Sequence, residues 1–190
     1  QIVAKIEDQE AIRNIDSILA EADVVMIARG DLGTEVQFEE LPILQRRIVR
    51  RCHELGTRVI VATQLLESMI TNPRPTRAEA SDCANAVLDG ADAIMLSGET
   101  SIGAWPIQAV ETMNRIIERT EAQGVVRLPK LGTRPTTAGG AVTAAAAEIG
   151  ELLHAKYLVT LTTSGESARR MARVRPRLPM VAFTPTEQRS

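Results

Sequence analysis

At 190 residues the chain has room for one large domain or for a medium domain and a small one, and 44% hydrophobic with 24% charged residues is enough to bury a core. Its aromatic side chains are Phe38, Trp105, Tyr157 and Phe183, 2% of the whole, so the core must be built from Ala, Val, Ile, Leu and Met, and a base-stacking nucleic-acid binder is disfavoured for want of platforms. A net charge of −2 with both signs interspersed gives no broad attraction to nucleic acid or anionic membrane, so any phosphate chemistry must come from a local site.

Residues 2–6 read as a strand, and 9–22 as a helix with Ile12, Ile15, Ile18 and Leu19 on one face. A second strand covers 24–28. A helix follows over 38–55, with Leu41, Leu44, Ile48 and Cys52 on its buried side and Gly56 as its stop. Strand three is 59–62, followed by a short helix around 65–70 and a loop at Pro73-Arg74-Pro75. Residues 79–88 are helical and end at Gly90; 93–96 form the fourth strand and 107–121 the next helix. From 124 to 136 the pattern lapses into Pro, Gly and basic residues, a linker. Beyond it come a helix over 141–153, a strand over 157–161, a helix over 167–174 and a strand over 180–183. The expected organisation is therefore a domain over 1–123, a linker over 124–136 and a partial α/β domain over 137–190.

Continuous apolar strands separated by helices predict an α/β protein with a parallel sheet covered on both faces. The β/α period of about 30 residues fits a doubly wound sheet or a (β/α)8 barrel. A complete barrel needs roughly 250 residues, and only four strands fit before residue 121, so a barrel here would be half of one. The sequence also opens directly on a strand, as part of a longer chain would. Cys52 and Cys83 sit in helical patterns outside any C-x-x-C pair and read as buried reduced thiols. No apolar run approaches the roughly 18 residues of a membrane span, and no basic-then-apolar leader is seen, so the cytoplasm is the expected compartment.

In β/α proteins function gathers at the C-terminal ends of strands. The first strand delivers Lys5 and Glu7 on one face, with Ile6 opposite; a salt bridge at a strand end is the plain alternative. The second ends in Ala28-Arg29-Gly30-Asp31-Leu32-Gly33, a turn whose N–H groups could hold an anion and whose carboxylate could hold a divalent cation, or simply an Asp in a turn. The third exits at Thr63-Gln64, a weak signal alone. The fourth exits at Ser97-Gly98-Glu99-Thr100, for which capping the next helix is the simpler account. Together these offer an ammonium, carboxylates from neighbouring strands, glycine N–H groups and a hydroxyl. Mg2+ takes one or two carboxylates and leaves its other positions to substrate oxygens and water. A nearby Lys could offset charge on a transferring phosphoryl group. The set suits metal-assisted chemistry on an α-keto acid, an enolate or a phosphate ester. His53 and His154 read as helix residues away from this rim.

Five segments carry a resemblance: Ala4-Lys5-Ile6-Glu7, Met26 to Gly33, Ala62 to Met69, Pro73-Arg74-Pro75-Thr76-Arg77-Ala78-Glu79 and Met95 to Thr100. In order and spacing the chain resembles the pyruvate kinase family, closely over residues 1–121 and more loosely beyond. The resemblance implies barrel strands five to eight and a phosphotransferase that moves phosphate from phosphoenolpyruvate to ADP, giving pyruvate and ATP in glycolysis. It assigns Lys5 to the phosphoryl group in transfer and Glu7 and Asp31 to the divalent metal, Mg2+ or Mn2+. It gives Gly30 with Asp31 to the substrate carboxylate, and Thr63 to the substrate beside the enolate. It also implies K+, with its ligands and much of the nucleotide site on the first half of the barrel and the lid domain, and a homotetramer when full length.

Two departures are conservative: Asp8 stands where the family often has Asn, and Leu65 where Met is usual. In the second domain Leu161-Thr162-Thr163-Ser164-Gly165-Glu166-Ser167-Ala168 resembles the loop that holds a sugar-phosphate activator in some members; such loops often carry basic residues, yet here Thr163 and Glu166 supply a hydroxyl and a negative charge, so no effector is assigned. The isolated chain is expected to be inactive. The alternatives are a metal-dependent aldolase or lyase acting on pyruvate enolate, and a non-catalytic fragment.

Overall fold

A computed structural model describes residues 1–123, 135 and 137–185. The chain divides into two compact units, Gln1–Pro129 and Lys130–Ser190. Most of the expected linker, 124–136, lies outside the described residues.

The first unit alternates strand and helix. Strands β1 (Val3–Ile6), β2 (Val24–Ala28), β3 (Arg58–Ala62) and β4 (Ala93–Met95) form one parallel sheet in the order β1-β2-β3-β4. Strand order never reverses, so there is no switch point of the doubly wound kind, and the winding is that of a barrel. Ile6, Ile27, Val61 and Ile94 stand side by side in register. The residues that follow them therefore leave the sheet at one level, which builds a common rim.

The two faces of this sheet differ. Ile6, Val25, Ile27, Val59 and Val61 are completely buried against the helices. The neighbouring row Lys5, Met26, Ile60 and Ala93, on the opposite face by the two-residue alternation of strands, is only half-buried or exposed. A core of Ile6, Leu19, Val25, Ile27, Ile48, Val49 and Cys52 joins the sheet to α2 (Ile15–Glu21) and α4 (Leu41–Leu55). A second core lies beneath the β3 exit, where Leu65, Leu66 and Met69 meet Cys83 of α5 (Arg77–Asp89) and Ala109 and Met113 of α7 (Pro106–Gln123).

Several elements of the first unit differ from the expected ones. The helix expected over 9–22 is two, α1 (Gln9–Arg13) and α2, parted at Asn14 with φ −100° and ψ 17°. Asn competes for the backbone and favours such breaks, while the apolar stripe still packs because Ile12, Ile15 and Ile18 meet the core from both pieces. The expected turn after β2 is a helix, α3 (Arg29–Glu35), starting with no connecting residue. Asp31 in its first turn suits the positive end of the helix, and the Thr34 hydroxyl donates to Asp31 O at 2.7 Å. The helix expected over 38–55 opens with a single 3-10 turn, Phe38–Glu40, before α4 begins. A four-residue helix α6 (Gly98–Ser101) follows β4.

The second unit contains α8 (Ala138–Leu152), β5 (Leu158–Leu161), α9 (Glu166–Arg173) and β6 (Met180–Phe183), with β5 and β6 parallel. Helix α8 starts three residues earlier than its Ala-rich pattern suggests, because Thr137 caps it by accepting from Gly140 N at 3.1 Å. Gly150 lets it lie close on β5: a Cβ there would come within 2.8 Å of Leu158. His154 lies past the end of α8 with φ 52°, not on a helix as expected. Among the described residues no helix is long and apolar enough to cross a membrane.

Candidate active site

The rim at the C-terminal ends of β1, β2 and β3 brings Lys5, Glu7, Gly30, Asp31 and Thr63 together. Lys5 and Glu7 straddle Ile6, which is fully buried, so both side chains are turned out of the core at the strand end. The Lys5 ammonium lies 2.5 Å from Glu7 Oε2 and 3.5 Å from Asp31 Oδ2, joining carboxylates from neighbouring strands. The hydrogen bond and charge of Glu7, with Asp31 in support, hold the Lys5 pKa above its ordinary 10.5. The ammonium is therefore charged throughout the neutral range. Glu7 Oε2 is shielded from solvent, so its charge is met chiefly by that ammonium.

Two carboxylates that share one cation in this way fit a divalent metal site of the Mg2+ kind, which needs no more than two protein carboxylates. Among the described residues no group of three or more His, Cys, Asp or Glu is placed to hold a metal. The carboxylates that could serve as donors are those of Glu7 and Asp31, with Lys5 as a neighbouring charge.

Beside the pair, Gly30 N donates to Thr63 Oγ1 at 2.8 Å across the β2–β3 gap. A Cβ on residue 30 would stand 3.3 Å from that oxygen, tighter than ordinary contact, so a larger residue would press on the Thr63 hydroxyl. The Thr63 hydroxyl is the acceptor here, so its own proton remains to be donated. Thr63 has φ 70° and Gln64 φ 52°, two consecutive non-glycine residues in the left-handed region. For a β-branched side chain this is an outlier, costing about 1–3 kcal/mol per residue, and it persists only where the surroundings dictate it.

Those surroundings are ionic and buried. Arg29, 5% exposed, donates to Thr63 O from Nε at 3.2 Å and Nη2 at 3.0 Å, and to Gln64 O from Nη2 at 2.6 Å. Its Nη1 pairs with Asp82 at 2.7 Å and reaches Gln45 Oε1 at 3.3 Å. Glu99, 2% exposed, accepts from Leu66 N at 3.1 Å and from Ser97 N at 2.8 Å. Glu79 accepts from Ser68 N at 2.7 Å while closing a capping box with Thr76 at the start of α5. The segment after β3 is thus fastened by one buried cation and two carboxylates.

The Ser97 to Thr100 exit does start a helix, α6, with Ser97 as its N-cap residue. Glu99 in its first turn accepts from Ser97 N and also turns inward to Leu66 N, tying the β3 and β4 exits together. Arg29 stood in the sequence between Ala28 and Gly30 without any sign of its destination. A buried arginine is noticed only once its partners at residues 45, 63, 64 and 82 are seen around it. His53 is buried on α4, away from the rim, and His154 belongs to the second unit.

Comparison with known proteins decides the family. The sequence model of the pyruvate kinase barrel domain matches residues 1–110, and that of the pyruvate kinase alpha/beta domain matches residues 140–190. The chain belongs to the pyruvate kinase family. A pyruvate kinase of Mycobacterium tuberculosis (strain H37Rv) is 54% identical over 183 residues, 96% of this chain and 39% of that protein. One from Corynebacterium glutamicum is 52% identical over 186 residues, 98% of this chain and 39% of that protein. The crystal structure of a pyruvate kinase from Cryptosporidium parvum superposes with a TM-score of 0.87 at 39% identity, covering 98% of this chain and 39% of that one. The chain therefore spans about two fifths of the length of the pyruvate kinases it matches.

Proposed function

We propose that the chain is the metal- and phosphoryl-binding half of a pyruvate kinase barrel, strands five to eight, followed by the start of the α/β domain. The intact enzyme would transfer the phosphoryl group of phosphoenolpyruvate to ADP, giving pyruvate and ATP. The observation that carries this reading is the Lys5 ammonium held between Glu7 and Asp31 on the same rim as the Gly30–Thr63 hydrogen bond. The half-buried or exposed row Lys5, Met26, Ile60 and Ala93 supports the half-barrel, since a closed barrel would turn that face inward.

The transfer breaks the bond between phosphorus and the enol oxygen and forms one to an oxygen of the ADP β-phosphate. The pyruvate enolate that leaves takes up a proton at its methylene carbon. Lys5 meets the negative charge spread over the phosphoryl oxygens in the transition state, and its raised pKa keeps it cationic for that task. Glu7 and Asp31 would hold Mg2+ or Mn2+. When bound, that ion supplies positive charge to substrate oxygens. The helix α3 opens at Arg29, so Gly30 and Asp31 lie in its first turn, a place suited to a substrate carboxylate. Thr63, fixed by Gly30 N, presents its hydroxyl beside the enolate.

K+ would be held, and the nucleotide largely bound, by parts of the enzyme outside this chain. The intact protein would be a cytoplasmic homotetramer. The alternative of an aldolase or lyase on pyruvate enolate can use the same carboxylates but has less need of Lys5. The test is a coupled assay for pyruvate from phosphoenolpyruvate plus ADP. A full-length protein carrying this segment should turn over and the 190-residue chain should not. Absence of turnover in the full-length protein would refute the activity, and turnover by the chain alone would refute the division of labour.

A further inference from the structure

We propose that Arg29 is a positioning residue for the reaction read above, on which this inference rests: its buried guanidinium holds Thr63 and Gln64 in their left-handed turn and so aims the Thr63 hydroxyl at the enolate. Arg29 does not line the rim; its guanidinium lies beneath it, 5% exposed. Three of its hydrogen bonds go to the carbonyls of two consecutive residues, Thr63 and Gln64. Those are the two residues whose φ values of 70° and 52° an unaided chain would avoid.

The link to chemistry is geometric. If Thr63 relaxed to a right-handed or extended conformation, its side chain would swing away from Gly30 N, which now lies 2.8 Å from Oγ1. A planar fork matches this task, because one edge can take both carbonyls while the other rests on a carboxylate. Asp82 of α5 supplies that carboxylate, and Gln45 of α4 touches the same nitrogen. Gln45 in turn donates to Asp89 Oδ2 at 3.1 Å, so the clamp is anchored in two helices of the barrel wall. A lysine would keep the charge but could not serve both carbonyls and Asp82 at once.

A hydroxyl aimed at the enolate acts after substrate is bound, so its misplacement should lower kcat and leave KM for phosphoenolpyruvate nearly unchanged. The experiment uses the full-length enzyme with Arg29→Lys, Thr63→Val, the pair of them, and Arg29→Lys with Gln64→Gly. The expected result is that Arg29→Lys lowers kcat about tenfold while KM changes less than about threefold. Adding Arg29→Lys to Thr63→Val should then cost less than about twofold more, because the group that Arg29 aims has already gone. Glycine adopts the left-handed conformation without a Cβ penalty, so Gln64→Gly should return about threefold of the lost kcat.

Losses that multiply in the double variant, with no recovery from Gln64→Gly, would overturn the proposal and leave Arg29 a packing residue. If Arg29→Lys fails to fold, Asp82→Asn loosens the same clamp and goes through the same cycle with Thr63→Val; multiplying losses there overturn it equally. Should Thr63→Val retain full kcat, the positioning role falls while phosphoryl transfer stands. A wild-type enzyme without turnover would instead defeat the broader reading.

Discussion

Removing the Glu99 carboxylate should unfasten the exits of β3 and β4 from one another. Its Oε1 accepts from Leu66 N at 3.1 Å and its Oε2 from Ser97 N at 2.8 Å, with the side chain 2% exposed. Hydrogen bonds to a charged acceptor contribute about 1.5–3 kcal/mol each. Glu99→Gln keeps one acceptor oxygen and turns an amide donor toward the other N–H, so about 1.5–3 kcal/mol should be lost. Glu99→Ala leaves both N–H groups buried and unmet, a loss of about 3–6 kcal/mol, large beside a domain stability of about 5–15 kcal/mol. Urea unfolding of the chain can be followed by the fluorescence of Trp105, its single tryptophan, which stands just beyond α6. With a slope of about 2 kcal/mol per molar, the midpoint should fall by about 1 M for Glu99→Gln and about 2 M for Glu99→Ala. Midpoints within about 0.2 M of the parent would show that Glu99 does not serve those two N–H groups.

Glu79 gives a pH dependence of known sign. Burial pushes its carboxyl up, but hydrogen bonds from Ser68 and Thr76 outweigh that and leave it below its ordinary 4.5. Its contribution is then fully present above pH 4.5 and is lost as pH falls through the lower folded value. The urea midpoint should decline below that pH and decline less steeply in Glu79→Gln; parallel curves would refute the assignment. Burial also pushes the thiols of Cys52 and Cys83 up to about 12. Both should therefore resist iodoacetamide at pH 8 until the chain is unfolded, read by mass spectrometry, and rapid labelling of the folded chain would contradict their burial.

Much of the fold could be read from the sequence because parallel strands buried against helices leave unbroken apolar runs, as in Val24 to Ala28 and Val59 to Ala62. The rim could be read for a related reason: in-register strands deliver their next residues at one level, so Lys5, Glu7 and Asp31 could be placed together from strand ends alone. What escaped depends on contacts distant in sequence or on conformations that the residue type disfavours. Arg29 is tied to carbonyls 34 and 35 residues away, and no local pattern announces that. Thr63 is β-branched, which argues against the left-handed turn it adopts. Gly30 and Gly33 made α3 read as a turn, and Gly139 and Gly140 hid the first turn of α8. Glu99 sits in the first turn of α6, and nothing local shows that its carboxylate also reaches Leu66 N, 33 residues away.

The central claim is that Lys5 serves the phosphoryl group while the carboxylates beside it serve the metal. The most direct test is Lys5→Met in the full-length enzyme, measuring both phosphoryl transfer from phosphoenolpyruvate to ADP and exchange of the pyruvate methyl protons with deuterated water. Loss of a cation aimed at transition-state charge should lower the transfer rate by about 100- to 1,000-fold, with exchange reduced far less. Equal losses in the two reactions, or transfer that survives, would contradict the account.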